Sequence, residues 1–350
     1  MNIKKEQFGL LSDGTKIYLY TVSNKTMSFS VTDYGCTLTS LMVPDKNGQG
    51  DDIVLGFSTL DGYIMQNNAF FGVLVGRFAN RIANASFTLN GKTYTLDAND
   101  NGNCLHSGNR QFSNLVWDAK EVKTEHGEGI CFSRRIPDGF QGFPGNLDIE
   151  VYYLLNEEND LTMLYRAKTD ADTPISLTNH SYFNLRGEGN GSILEHELKL
   201  NSHSFLEVDK NLIPTGSFVQ SDGTAYDFSK PKKIGTEIDK TPFGYDHCYV
   251  LNGTEGELKD CAEVWEPISG RYMKVTTNLS GVQLYTANTL SKQGKNNVFY
   301  GNHSAFCLET QAFPDAPNQN TFPSCILKPH ENYEAITVHS FLIKESTLKI

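Results

Sequence analysis

The residues with the clearest capacity for chemistry are a glutamate and two histidines, each set among polar or aromatic neighbours. In FCLETQ, strand alternation puts Phe306 and Leu308 on one face and Cys307 and Glu309 on the other. Glu309 therefore sits mid-strand opposite the apolar face, either solvated or aimed into a site, and the irregular segment FPDAPNQ that follows is the kind of strand-end loop where sites are built. His180, in TNHSYFNL, stands among amide, hydroxyl and aromatic groups that suit a structural imidazole or an acid–base one. His106, in CLHSG, leaves the same two readings open, and the glycine after it signals a turn.

Arg77 and Arg81, in GRFANRI, follow the apolar run Phe70 to Val75. If that run is a buried strand, both emerge from its end, free to bind sugar hydroxyls or a carboxylate, or to form an ion pair with a nearby acid. Asp246, in GYDHCYV, can accept hydrogen bonds from two hydroxyls of a polyol or simply close a turn after Gly244. The histidines at 126, 196, 203, 303 and 339 have no polar motif around them and read as surface or structural.

The elements that must hold these groups are strands. Leu147, Ile149, Val151, Tyr153 and Leu155 alternate, Asn156 to Asp160 form a polar turn, and Leu161, Met163, Tyr165 and Ala167 resume the alternation. That pattern predicts a long β-hairpin with one buried face. Asn90-Gly91, between Phe87/Leu89 and Tyr94/Leu96, supplies the positive φ angles of a type I′ hairpin turn. Further strands are expected at about 28–34, 130–134, 196–201, 272–277, 281–287, 304–311 and 333–343, each bounded by turn residues. Segment 58–66 predicts one or two helical turns capped by Ser58. Many short strands and little helix predict an all-β sandwich. No linker or repeat divides the chain, so residues 1–350 are expected to form a single domain.

Composition narrows the function. A net charge of −11 disfavours a nucleic-acid or anionic-membrane partner, which needs a basic field. No apolar run approaches a membrane span, and the amino-terminal residues lack the apolar segment of a secretory signal, so a cytoplasmic location is expected. Seven scattered cysteines predict reduced thiols. The absence of C-x-x-C and H-E-x-x-H spacings argues against a metal. The glycine-rich stretch 186–191 lacks the order of a phosphate cradle and reads as a flexible turn.

Taken together, GRFANRI, LHSG, TNHSYFNL, GYDH, GVQLYTAN and FCLETQAFPDAPNQ, in this order, resemble the galactose mutarotase (aldose 1-epimerase) family across nearly the whole chain. The resemblance implies a single-domain β-supersandwich with few short helices, an open sugar cleft on one sheet and no cofactor. It places the catalytic base on Glu309 and the catalytic acid on His180, and the sugar-holding groups on Asn80, Arg81, His106, Tyr182, Asp246 and Gln283, with Arg77 ranked behind Arg81. This chain reads LHSG where many relatives read LHGG, which leaves the imidazole in place.

The implied chemistry is ring opening of a small-molecule aldose. The C1 hydroxyl loses a proton while the ring oxygen gains one, and each positioned transfer contributes a rate factor of about 10² to 10⁴. An ionised Glu309 and a protonated His180 suit those tasks, which predicts a bell-shaped pH dependence with Glu309 setting the acid limb and His180 the alkaline limb. A hexose 6-phosphate epimerase and a non-catalytic sugar-binding module on the same scaffold are the competing expectations. A monomer or a homodimer fits equally.

Overall fold

The computed structural model describes residues 1–66, 68–109 and 111–345. Strands dominate it, and the longest helix among the described residues is the six-residue Leu60–Met65. Its cap is Thr59, whose hydroxyl accepts from Gly62 N–H, and not the Ser58 expected one residue earlier.

Three antiparallel sheets carry most of the chain. The first has five strands in sequence order from Asn2–Leu10 to Gly50–Asp52. The largest has nine: Asp118–Thr124, Gly127–Ile136, Leu147–Leu155, Asp160–Thr169, Tyr333–Ile343, Arg271–Thr277, Lys259–Trp265, Glu197–Leu200 and Lys232–Lys233, in that spatial order. The third has five, in the order Pro214–Gln220, Ser204–Val208, Asp246–Val250, Gly281–Tyr285 and Cys307–Gln311. The main core draws on all three sheets, joining Phe29 and Leu38 to Val151, Tyr153 and Phe341 and to Leu284 and Leu308. Full burial of each such side chain stabilises the fold by about 1.5–3 kcal/mol.

The expected hairpin forms with Leu155 opposite Leu161. Its alternating residues enter the core as expected, but its other face is not open to water at the turn end. Tyr152, Leu154 and Leu164 are buried there with Cys131, because the neighbouring strand Gly127–Ile136 adds its own apolar residue to that face. Asn90 and Gly91 adopt positive φ between the paired strands Ser86–Leu89 and Lys92–Thr95, as their sequence predicts. The stretch 186–191 is a turn pinned by Asn184 Nδ2 donating to Gly191 O, and so is less free than expected. All seven cysteines are unpaired and buried.

Candidate active site

One face of the third sheet is the floor of the site. Its register sets Asp246, Tyr285 and Cys307 in one row and Cys248, Gln283 and Glu309 in the next. Since the side-chain period is two, a slip of one residue would turn Glu309 into the core and Leu308 outward. Gln283 Nε2 donates to Asp246 Oδ1 at 2.6 Å, and among the described residues Gln283 Oε1 and Glu309 Oε2 accept no hydrogen bond. Buried acceptors in this state call for a donor-rich ligand or water.

His180 arrives from the two-residue strand Thr178–Asn179, which pairs with Leu74–Val75. Its neighbours lock it in place. Asn179 Nδ2 donates to Gly72 O and to Tyr153 Oη, Ser181 Oγ donates to Asn179 Oδ1, and the His180 N–H donates to Val73 O. The imidazole lies between the rings of Tyr182 and Phe70, with centroids at 5.1 and 5.8 Å and both nearly parallel to it. From this clamp Nε2 faces Glu309 Oε2 at 3.7 Å, while Nδ1 meets Cys307 Sγ at 3.6 Å.

Arg81, Asn80 and His106 come from a second ribbon, where Arg81–Ile82 pairs with Cys104–Leu105. Asn80, His106 and Ser107 all take positive φ, and Ser107 Oγ both accepts from Phe78 N–H and donates to Phe78 O. The serine thus ties the turn to the strand beside it. His106 Nδ1 accepts from Asn80 N–H at 3.2 Å, so its proton sits on Nε2 and serves as a donor. Arg81 Nε is held by Asp100 Oδ2 at 2.8 Å.

These groups surround an open cleft of about 960 Å³, reached by Asn80, Arg81, His106, His180, Tyr182, Asp246, Gln283 and Glu309. All eight side chains that the sequence singles out for the sugar or the chemistry therefore meet in one place. Arg77 does not join them. It is fully buried and points the other way, with Nη1 donating to Pro144 O and Thr173 Oγ1, so the expectation that both arginines emerge together is corrected. The apolar run before it supplies only the two-residue strand Leu74–Val75, and the chain bends between the two arginines. Phe70, Cys307 and Asp100 are site residues that the sequence reading missed. Phe70 sits in an apolar run that reads as core, whereas Cys307 was already on the face of Glu309.

Burial penalises the charged forms of the buried acids and imidazoles here. It raises the Glu309 carboxyl to about 8, with Asp246 adding repulsion and Arg81 offsetting part of the rise. It lowers His180 to about 4, and it lowers His106 well below the usual range, helped by His180 and Arg81. It also raises Asp246, against the pull of Arg81 and Gln283. The resting pair is therefore a protonated Glu309 and a neutral His180, the reverse of the expected placement.

His106, His180 and Glu309 offer ligand atoms within 4.8 Å of one another, a spacing that suits a metal ion. The tautomer does not suit one. A metal-bound imidazole donates its remote N–H to an acceptor, whereas Nδ1 of His106 faces the N–H of Asn80. The trio is better equipped to exchange protons and hydrogen bonds with a polyol.

Comparison with known proteins agrees with this picture. The family profile described as aldose 1-epimerase matches residues 18–340. Galactose mutarotase from Bos taurus is 41% identical over 347 residues, covering 98% of this chain and 99% of that protein. Aldose 1-epimerase from Escherichia coli (strain K12) is 33% identical over 342 residues, covering 95% and 97%. The crystal structure of an aldose epimerase homologue from C. elegans superposes with a TM-score of 0.86 at 30% identity, covering 93% of this chain and 98% of that one.

Proposed function

The chain belongs to the aldose 1-epimerase family, and we propose on that premise that it interconverts the α and β anomers of free hexoses, galactose and glucose among them, by proton exchange at Glu309 and His180. The observation that carries the reading is the 3.7 Å approach of His180 Nε2 to Glu309 Oε2 on the floor of the cleft. A base and an acid that close together can serve the two oxygens of one anomeric carbon.

In the forward step Glu309 takes the proton of the C1 hydroxyl as His180 Nε2 gives one to the ring oxygen, and the C1–ring oxygen bond breaks. The aldehyde then turns about C1–C2. In closure His180 takes the proton back from the hydroxyl that the ring oxygen became, and Glu309 returns its own to the carbonyl oxygen. Arg81, Asn80, His106, Asp246 and Gln283 hold the remaining hydroxyls so that the open chain is not released, with Tyr182 fixing the imidazole plane.

The resting proton placement does not obstruct this. Protonated Glu309 with neutral His180 carries one shared proton, and so does ionised Glu309 with protonated His180. The two forms differ in where that proton sits and not in number, so pH does not choose between them. The bell shape survives with its limbs exchanged: activity falls below about 4, where His180 takes a second proton, and above about 8, where Glu309 loses the shared one.

Arg77 beside Arg81 would give a 6-phosphate a paired basic site, and its burial away from the cleft supports a free hexose. Lys210 and Lys292 do line the cleft, so rates on glucose and glucose 6-phosphate should be compared directly. The same reading takes the chain as one domain, monomeric or homodimeric, acting without a cofactor. Seven unpaired, buried thiols support a reducing compartment such as the cytoplasm. The decisive experiment is polarimetry of freshly dissolved α-D-galactose with the Glu309→Gln variant. Sugar binding should persist while catalysed equilibration nearly vanishes, and a parental rate would remove Glu309 as the base.

A further inference from the structure

We propose that Cys307 is a positioning residue for the reaction, its sulfur accepting the Nδ1–H of His180 so that the Nε2 lone pair stays turned toward Glu309 and the sugar. The proposal rests on the catalytic reading of His180 and adds a requirement to it. An imidazole that gives and retakes a proton through Nε2 must keep its other proton on Nδ1 in both states. Something must therefore accept at Nδ1 throughout.

The strand Cys307–Gln311 supplies that group by its pleat. Cys307 and Glu309 are two residues apart on one face, and the imidazole bridges them, with Sγ 3.6 Å from Nδ1 and Oε2 3.7 Å from Nε2. Phe70 and Tyr182 stack nearly parallel to the ring, which opposes its turning out of that plane. The sulfur beside Nδ1 can act as an acceptor there.

The choice of sulfur has a chemical consequence. A carboxylate at this position would bind the imidazolium strongly and make it a poor acid. A neutral thiol is a weak acceptor, enough to orient the ring without holding its charge. Cys307 is fully buried, and that burial keeps it protonated, with Glu309 and Asp246 opposing ionisation further.

The test combines ¹⁵N NMR of the His180 ring with galactose mutarotation for the parent, Cys307→Ser and Cys307→Ala at pH 7. The parent should show the Nδ1–H tautomer. Cys307→Ala should show a mixture of tautomers and a kcat lower by on the order of tenfold, with KM within about twofold. Cys307→Ser, which restores an acceptor, should recover most of the loss. A parent in the Nε2–H form overturns the proposal, and so does an alanine variant with unchanged tautomer and kcat. Should the alanine variant fold poorly, the parent spectrum and the serine variant still decide. A parent without mutarotase activity would refute the catalytic reading instead, while the tautomer is read separately from the spectrum.

Discussion

Replacing Glu309 by glutamine should separate the stability of this protein from its chemistry, and the separation should depend on pH in a calculable way. Burial raises the carboxyl from 4.5 to about 8 in the folded chain. Between those values the folded state keeps a proton that the unfolded state has released, so folding stability is fully present below 4.5 and is lost as pH rises through 8. At about 1.4 kcal/mol per pH unit, the loss reaches roughly 5 kcal/mol. Glutamine has no proton to lose. The stability of Glu309→Gln relative to the parent should accordingly climb across that window and level off above it. Urea unfolding followed by tryptophan fluorescence at pH 5, 6.5, 8 and 9 measures the difference, and Trp117, buried in the core, reports the transition. The buried histidines 106, 180, 196 and 339 and the half-buried His247 are present in both proteins and largely cancel. An offset between variant and parent that stays constant from pH 5 to 9 would refute the claim that an ionised Glu309 is costly in this site.

Four further outcomes follow from the geometry. The initial rate of mutarotation should be bell-shaped with limbs near 4 and 8, and a rate unchanged from pH 6 to 10 would contradict the shared-proton pair. Arg81→Ala should raise KM for galactose by on the order of ten- to a hundredfold through lost contact with the sugar. Arg77→Ala should leave KM near the parental value and lower stability by about 2–4 kcal/mol, measured by urea unfolding, because a buried donor set is removed and its acceptors are stranded. Ser107→Gly should change stability by less than about 1 kcal/mol, since relief of the positive φ offsets the two hydrogen bonds lost to Phe78. Its activity should persist, which a standard polarimetric assay checks.

Period-two patterning was legible wherever a strand has one face in the core, as in the hairpin Leu147–Leu155 with Asp160–Thr169. The apolar turn end of that hairpin was less legible, because what covers Leu154 and Leu164 comes from Cys131 on another strand. Ser58 and Thr59 offered the same hydroxyl to a helix start, and residue type alone does not choose between neighbours. The candidate site was legible only through its six motifs taken together, since His180 and Glu309 each left a structural or solvated reading open on their own. Arg77 and Arg81 shared one motif and differ in direction, which depends on a bend that their side chains do not encode. Phe70 escaped notice for the opposite reason, because a ring that serves an imidazole is chemically identical to one that fills a core. The proton placement was also hidden, as burial of Glu309 arises from residues across three elements.

In the proposed reaction, the aromatic clamp around His180 decides which participant has to turn. Wedged between Phe70 and Tyr182, the imidazole has no room to swing from one side of the substrate to the other. Inversion at the anomeric centre must then come from the opened sugar, whose carbonyl presents first one side and then the other to the hydroxyl that faces a stationary His180. Such a turnstile admits traffic in both directions, so it hastens the approach to the anomeric mixture that the sugar reaches unaided and leaves its final composition untouched.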